Sequence, residues 1–132
     1  MIRTCSRWLL AVFYAVAGYF HLAVPDPFLS ILPSGLPEPG WIVFWTGIAE
    51  LLGAVALIQP FSGKLRKAGA WGLAAYAVCV FPANINHFAL DLDREIGALG
   101  LAYHIPRMFA QPLIIWLALW TGGVTDWPFR RR

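Results

Sequence analysis

Six polar side chains stand where the chain is otherwise apolar: His21, Glu50, Asn84, His87, Arg107 and Gln111. Glu50 lies near the middle of 41–59, a run long enough to cross a bilayer. A carboxyl group at that depth costs about 2.5–3.5 kcal/mol on insertion scales, so it should face partners or water inside a bundle rather than lipid. Together the six supply a carboxyl, a guanidinium, two amides and two imidazoles. Such a set can orient or polarise the oxygen atoms of a small molecule, hydrogen-bond it and carry protons.

Depth and helical phase indicate which of these groups can meet. Counting from the outer end of each apolar run at about 1.5 Å per residue puts His21 and His87 about 5 Å in, Asn84 about 9 Å and Glu50 about 14 Å. Arg107 enters at the outer end of the last run, with Gln111 one turn below it. Asn84 and His87 share a face at i, i+3, as do Arg107 and Gln111 at i, i+4. Tyr14, Gly18 and His21 form a similar stripe. Asn86 lies about 200° from Asn84, so Asn84 is assigned inward and the direction of Asn86 stays open. Pro82 frees the Val78 carbonyl, and a kink there would splay the outer part of the third run and widen a cavity.

Each residue carries a structural reading beside the chemical one. Glu50 and Arg107 are expected to pair, either as a clamp between helices or at the base of a ligand cavity. His21 and His87 serve as hydrogen-bonding bundle residues, or as ligands and proton carriers, and Asn84 as interhelical glue. Two histidines at similar depth also suit bis-histidine haem ligation, although one such pair with no attachment motif argues against it. A transition-metal site of the same imidazoles with Glu50 is the related alternative. No serine or cysteine is placed beside a base, so no catalytic residue is assigned. His104 reads as an ordinary interface residue. Cys5 and Cys79 should differ in depth by more than the ~7 Å a disulfide tolerates, and no CxxC occurs.

The elements that must position these groups follow from composition. Of 132 residues, 59% are hydrophobic and 13% charged, too few charges to cover a soluble protein of this size. Apolar runs at about 8–24, 41–59, 68–90 and 105–122 each approach the length of a hydrocarbon core. The expected fold is one all-α domain, 1–132, an integral membrane four-helix bundle with a Pro-rich outer loop between helices 1 and 2. The first run has a signal-peptide-like start, but Pro25-Asp26-Pro27 makes a poor cleavage site, so it reads as a retained helix.

Charge placement sets the orientation. Arg3, Arg7, Lys64, Arg66, Lys67, Arg130, Arg131 and Arg132 fall on one side of four spans, and Arg94 and Arg107 with Asp26, Glu38, Asp91, Asp93 and Glu95 on the other. Both termini are therefore expected to be cytoplasmic. Trp8, Trp71, Trp120 and Trp127 would lie at one interface, Trp41 and Trp45 at the other, with Trp116 deeper. The net charge of +3 forms no basic stripe with interleaved aromatics, which disfavours nucleic acid as a partner. Small residues supply close helix contacts: Ala11, Ala15 and Gly18; Ala49 and Gly53; Gly69, Gly72 and Ala75. The connection 25–40 holds five prolines and several large apolar residues. It fits a short interfacial segment over the outer mouth, a lid or a rigid connector.

Read in order, these residues form a pattern. His21-Leu22-Ala23-Val24-Pro25 leads through Phe28, Ile31, Pro33, Leu36 and Pro37 to Thr46-Gly47-Ile48-Ala49-Glu50-Leu51-Leu52-Gly53. Pro60 and Arg66 follow, then Val80-Phe81-Pro82-Ala83-Asn84-Ile85-Asn86, Arg107 and Gln111-Pro112-Leu113. Over nearly its whole length the chain resembles the DoxX-like family of small four-helix bacterial membrane proteins. The resemblance implies an association with quinone-coupled thiosulfate oxidation, oxidative stress and thiol homeostasis. It matches His21, Glu50, Asn84, Arg107 and Gln111 to the family's polar positions, whereas His87 stands where methionine is usual. It does not make the chain an oxidoreductase, because neither a flavin-binding pattern nor a thiol pair is present.

The expectation is an inner-membrane protein with an outward-facing polar pocket, acting as an accessory or ligand-binding subunit of a quinone-linked redox or oxidative-stress system. Its ligand-binding residues are Glu50, Arg107, Asn84, Gln111, His21 and His87. Its partners are the lipid bilayer, a quinone-like small molecule and a membrane redox protein that supplies electrons. The competing expectations are a purely structural membrane subunit, or a haem- or metal-binding membrane protein using His21 and His87.

Overall fold

Local backbone chemistry sets the helix boundaries in the computed structural model. The structure describes residues 1–94 and 98–129. Within them the chain is helical without strands: α1 (Ile2–Ala23), α2 (Asp26–Leu29), α3 (Pro39–Ile58), α4 (Gly63–Leu92) and α5 (Leu101–Gly122). Pro25 disfavours a helical residue before it, and α1 stops at Ala23. Pro39 opens α3 at the first helical position, where its missing N–H has no intrahelical partner to lose. Ser62 caps α4, its hydroxyl accepting from the Leu65 amide at 3.2 Å. Gly123, at φ 84°, ends α5 in the left-handed conformation that glycine adopts without a Cβ penalty.

The helices exceed the apolar runs at several ends. α1 starts at Ile2 and α5 at Leu101, while α4 extends over 30 residues. Hydropathy stops at charges, whereas helices stop where backbone groups lose partners. Pro82 lies inside continuous α4, and Pro106 and Pro112 inside α5.

The four long helices pack in a ring, α1 on α3, α3 on α4, α4 on α5 and α5 back on α1. Leu10, Ala11, Tyr14, Ala54, Leu57, Ala70, Leu73 and Ala118 form a buried apolar cluster. Gly18 and Gly47 let α1 and α3 approach closely. A Cβ on Gly18 would come 2.8 Å from the Gly47 carbonyl oxygen, and one on Gly47 2.9 Å from His21 Cβ. α3 and α4 are each long and apolar enough to cross a membrane.

Basic residues close the end opposite the short helix α2. Arg3 donates to the Trp120 carbonyl at 2.6 Å and the Thr125 carbonyl at 3.1 Å, and pairs with Asp126 at 2.7 Å. Arg7 donates to the Thr121 carbonyl at 2.9 Å, and Arg66 to the Gln59 carbonyl at 3.1 Å. These cations therefore cap helix C-termini, where dipole and free carbonyls favour positive charge. Trp120 is buried and stacks on Trp116 with ring centroids 5.4 Å apart, so it packs inward. Glu95, Arg130, Arg131 and Arg132 lie outside the described residues.

Candidate functional site

A cavity of about 700 Å³ lies among α1, α3, α4 and α5, roofed by the segment after α1. Its size suits a small organic ligand. Apolar and aromatic side chains make most of its wall, and polar groups reach it in two separate clusters.

The first cluster is built by the Gly18–Gly47 crossing, which brings His21 of α1 beside Glu50 of α3. Glu50 is only 3% exposed. Its Oε1 accepts from the Tyr76 hydroxyl of α4 at 2.8 Å. Its Oε2 lies 2.8 Å from His21 Nδ1. That nitrogen also sits 2.9 Å from the Ala17 carbonyl, and with two acceptors around it, it must carry the hydrogen. The N–H is aligned with Ala17, so Oε2 has a close electrostatic neighbour but no aligned donor among the described residues. Tyr14, also fully buried, has a hydroxyl with no partner among the described residues. Glu50 and Tyr14 are both among the residues that line the cavity.

The second cluster is a ladder between α4 and α5. Arg107 donates through Nη2 to Asn84 Oδ1 and through Nη1 to His87 Nδ1, both at 2.6 Å. Arginine can only donate, so His87 Nδ1 accepts and its ring hydrogen is on Nε2. Asn84 Nδ2 donates to Gln111 Oε1 at 3.1 Å, and Gln111 Nε2 donates to the Ala77 carbonyl. The Arg107 guanidinium also lies 5.7 Å from the centre of the Tyr103 ring, a cation–π arrangement.

The roof is held from two sides. Phe28 of α2 stacks on the His21 ring at 3.7 Å between centroids. Asn86 donates to the Ile31 carbonyl at 2.9 Å, which settles its direction: it faces the connection, not the cavity.

Of the six residues singled out by sequence, His21, Glu50, Asn84, Arg107 and Gln111 line the cavity. His87 contacts Arg107 from behind. The expected Glu50–Arg107 pair is absent among the described residues, since each side chain is taken by other partners. His21 and His87 fall in different clusters, and no group of three or more potential metal ligands forms among the described residues. Both cysteines are free, as their expected separation in depth implied.

Sequence reasoning passed over three features. Tyr76, the donor to Glu50, is amphipathic and carries no signal that separates it from a packing residue. Tyr14 was seen as one member of a stripe with His21, without its unpartnered hydroxyl. His104 is completely buried, with Nε2 3.1 Å from Asp91 Oδ2, while Asp91 accepts from the Leu99 and Gly100 amides at 3.1 and 3.0 Å. The signal for this last group was His104 and Asp91 flanking a glycine-containing connection.

Residues 10–122 match the model of a family described as domain of unknown function (DUF8561). No curated protein and no solved structure matches the chain.

Proposed function

The chain belongs to the DUF8561 family, and for this member we propose a four-helix integral protein of the bacterial inner membrane whose outward cavity binds an amphipathic small molecule. Both termini are cytoplasmic in this reading. The ligand has a quinone-like headgroup, and the protein is an accessory subunit of a membrane redox or oxidative-stress system.

Membrane embedding is supported by more than the two long apolar helices. Leu101, Ile105, Phe109 and Leu113 make an exposed stripe along α5 at i, i+4 spacing, and Leu9, Val12, Phe13, Val16 and Phe20 do the same on α1. In water these stripes would be uncovered apolar patches; in a bilayer they meet acyl chains. Arg3, Arg7, Lys64, Arg66 and Lys67 gather at one end, which favours that end as the cytoplasmic one.

The single observation that carries ligand binding is a cavity of about 700 Å³ among the helices whose wall includes the buried acid Glu50. Its carboxyl, held by Tyr76 and His21, gives an otherwise apolar wall a polar group that a ligand donor can engage. The resemblance to DoxX-like proteins supplies the quinone-like class. The Arg107–Asn84–Gln111 ladder favours a second, partial reading: its side chains bond one another from α4 to α5, so it also braces the two helices.

The test is gentle extraction followed by native mass spectrometry, with identification of co-purifying quinones and lipids. The reading expects a stoichiometric amphiphile with wild type and its loss with Glu50→Gln while the protein stays folded. Loss of thermal stability in Glu50→Gln with no ligand in either sample would leave only the structural role.

A further inference from the structure

Resting on the ligand reading of the cavity, we propose that Arg107 is its headgroup anchor. The guanidinium takes the acceptor oxygens of a single-chain amphiphile, whose tail leaves sideways into the bilayer between the outer halves of α1 and α5.

The open donors lead there. A guanidinium carries five N–H groups, accepts nothing and stays charged. Asn84 Oδ1 and His87 Nδ1 each engage one of them. The Nε–H and the second hydrogens on Nη1 and Nη2 have no partner among the described residues. None of these nitrogens is both buried and unpaired, so the open Nε–H is accessible. No carboxylate among the described residues lies within ion-pair distance of Arg107. Arg107 is half-buried in the cavity wall whereas Glu50 is buried, which makes the guanidinium the more accessible of the two. Acceptor oxygens would meet it through charge-assisted hydrogen bonds, and a cationic headgroup would be repelled.

The helix ring has one seam without a polar tie at this level. The Gly18–Gly47 crossing closes α1 on α3, Tyr76 of α4 bonds Glu50 of α3, and the ladder joins α4 to α5. Arg3 and Arg7 tie α1 to α5 only at the opposite end, on the Trp120 and Thr121 carbonyls. Toward the outer end, Phe13 of α1 and Tyr103 of α5 are exposed and also line the cavity, so its surface reaches the outside of the bundle on this side. Ala17 and Ala110 belong to the same wall, and their short side chains leave room between the two helices. Arg107 shares a face of α5 with Tyr103 and Ala110 at i, i+4 and i, i+3. A headgroup on Arg107 can therefore send its methylenes along Ala110 and out among acyl chains, away from water.

Occupancy is read at Cys79, a free cysteine in the cavity wall, as protection from N-ethylmaleimide in the full chain carrying Cys5→Ser in nanodiscs. The probes share one tail length: tetradecanoate, the matching methyl ketone, and tetradecyltrimethylammonium, which has no acceptor. An acceptor probe is expected to bind about tenfold tighter or more than the ammonium. Tighter binding of either acceptor supports the proposal, and the tighter of the two tells whether the headgroup is charged. Arg107→Met should abolish the discrimination. Ala110→Trp fills the seam and should weaken tetradecanoate about tenfold while sparing the shorter octanoate.

Protection by the ammonium at the same concentration as by both acceptors, or lower, overturns the proposal while the ligand reading stands. Protection by none of the probes removes both. Unchanged discrimination in folded Arg107→Met removes Arg107 as the anchor, and unchanged tetradecanoate binding in Ala110→Trp removes the seam. The wild-type comparison decides the headgroup question even where Arg107→Met does not fold.

Discussion

Glu50 on α3 and Arg107 on α5 line the same cavity, yet no ion pair joins them. The guanidinium is held by His87 and Asn84, the carboxyl by Tyr76 with His21 alongside. The guanidinium and the carboxyl group have separate polar partners, so the cavity has two chemically distinct sides.

This separation predicts additivity. Arg107→Lys replaces a planar fork by a point charge that cannot hold both His87 and Asn84 in their present geometry, at a cost of about 1.5–3 kcal/mol. Glu50→Gln should not strand Arg107. In a double-mutant cycle read by unfolding in mixed micelles, the two effects should sum within about 0.5 kcal/mol. A coupling well above that would mean the charges communicate directly.

Tyr76→Phe removes the donor to Glu50 Oε1 and leaves both carboxyl oxygens without an aligned donor. The expected loss is about 1–3 kcal/mol of stability, measured by the same unfolding assay. Tyr19→Phe, at an exposed site on α1, is the control and should be close to neutral.

Gly18→Ala and Gly47→Ala test the crossing that places His21 beside Glu50. Each added methyl would meet the facing helix at under 3 Å, so α1 and α3 must separate, costing about 1–3 kcal/mol. Gly72→Ala, with nothing within 4 Å, should not destabilise and should gain slightly from helix propensity. Thermal melting of the three variants checks the order.

Asp91 holds the start of α5 through two backbone amides. Asp91→Asn leaves one acceptor oxygen where two now serve, so at least one amide loses its partner. Hydrogen–deuterium exchange at Leu99 and Gly100 should quicken, while exchange in the middle of α3 stays as in wild type. Equal exchange at both amides in the two proteins would rule out the capping role.

All-helical structure was legible because apolar runs of helical length recur between proline- and charge-rich connections. Helix ends were not, since Arg3 and Arg7 look like the edge of an apolar run and are instead helical residues reaching α5 carbonyls. For the site, Glu50 announced itself by being a lone acid in an apolar run. Its partners did not. Tyr76 and Tyr14 are amphipathic, and nothing in a linear pattern tells a packing tyrosine from a hydrogen-bonding one. The Glu50–Arg107 expectation failed because attraction of opposite charges takes no account of helix rotation, which turned the guanidinium to Asn84 and His87.

The bond from Asn86 to the Ile31 carbonyl bears on traffic. Phe28 leans on His21 and Asn86 grips the connection from α4, so the segment above the cavity is bolted to two different walls. A guest arriving from above must break one of these fastenings. One that slips in sideways between helices need not, and Asn86→Ala should therefore speed only the first route.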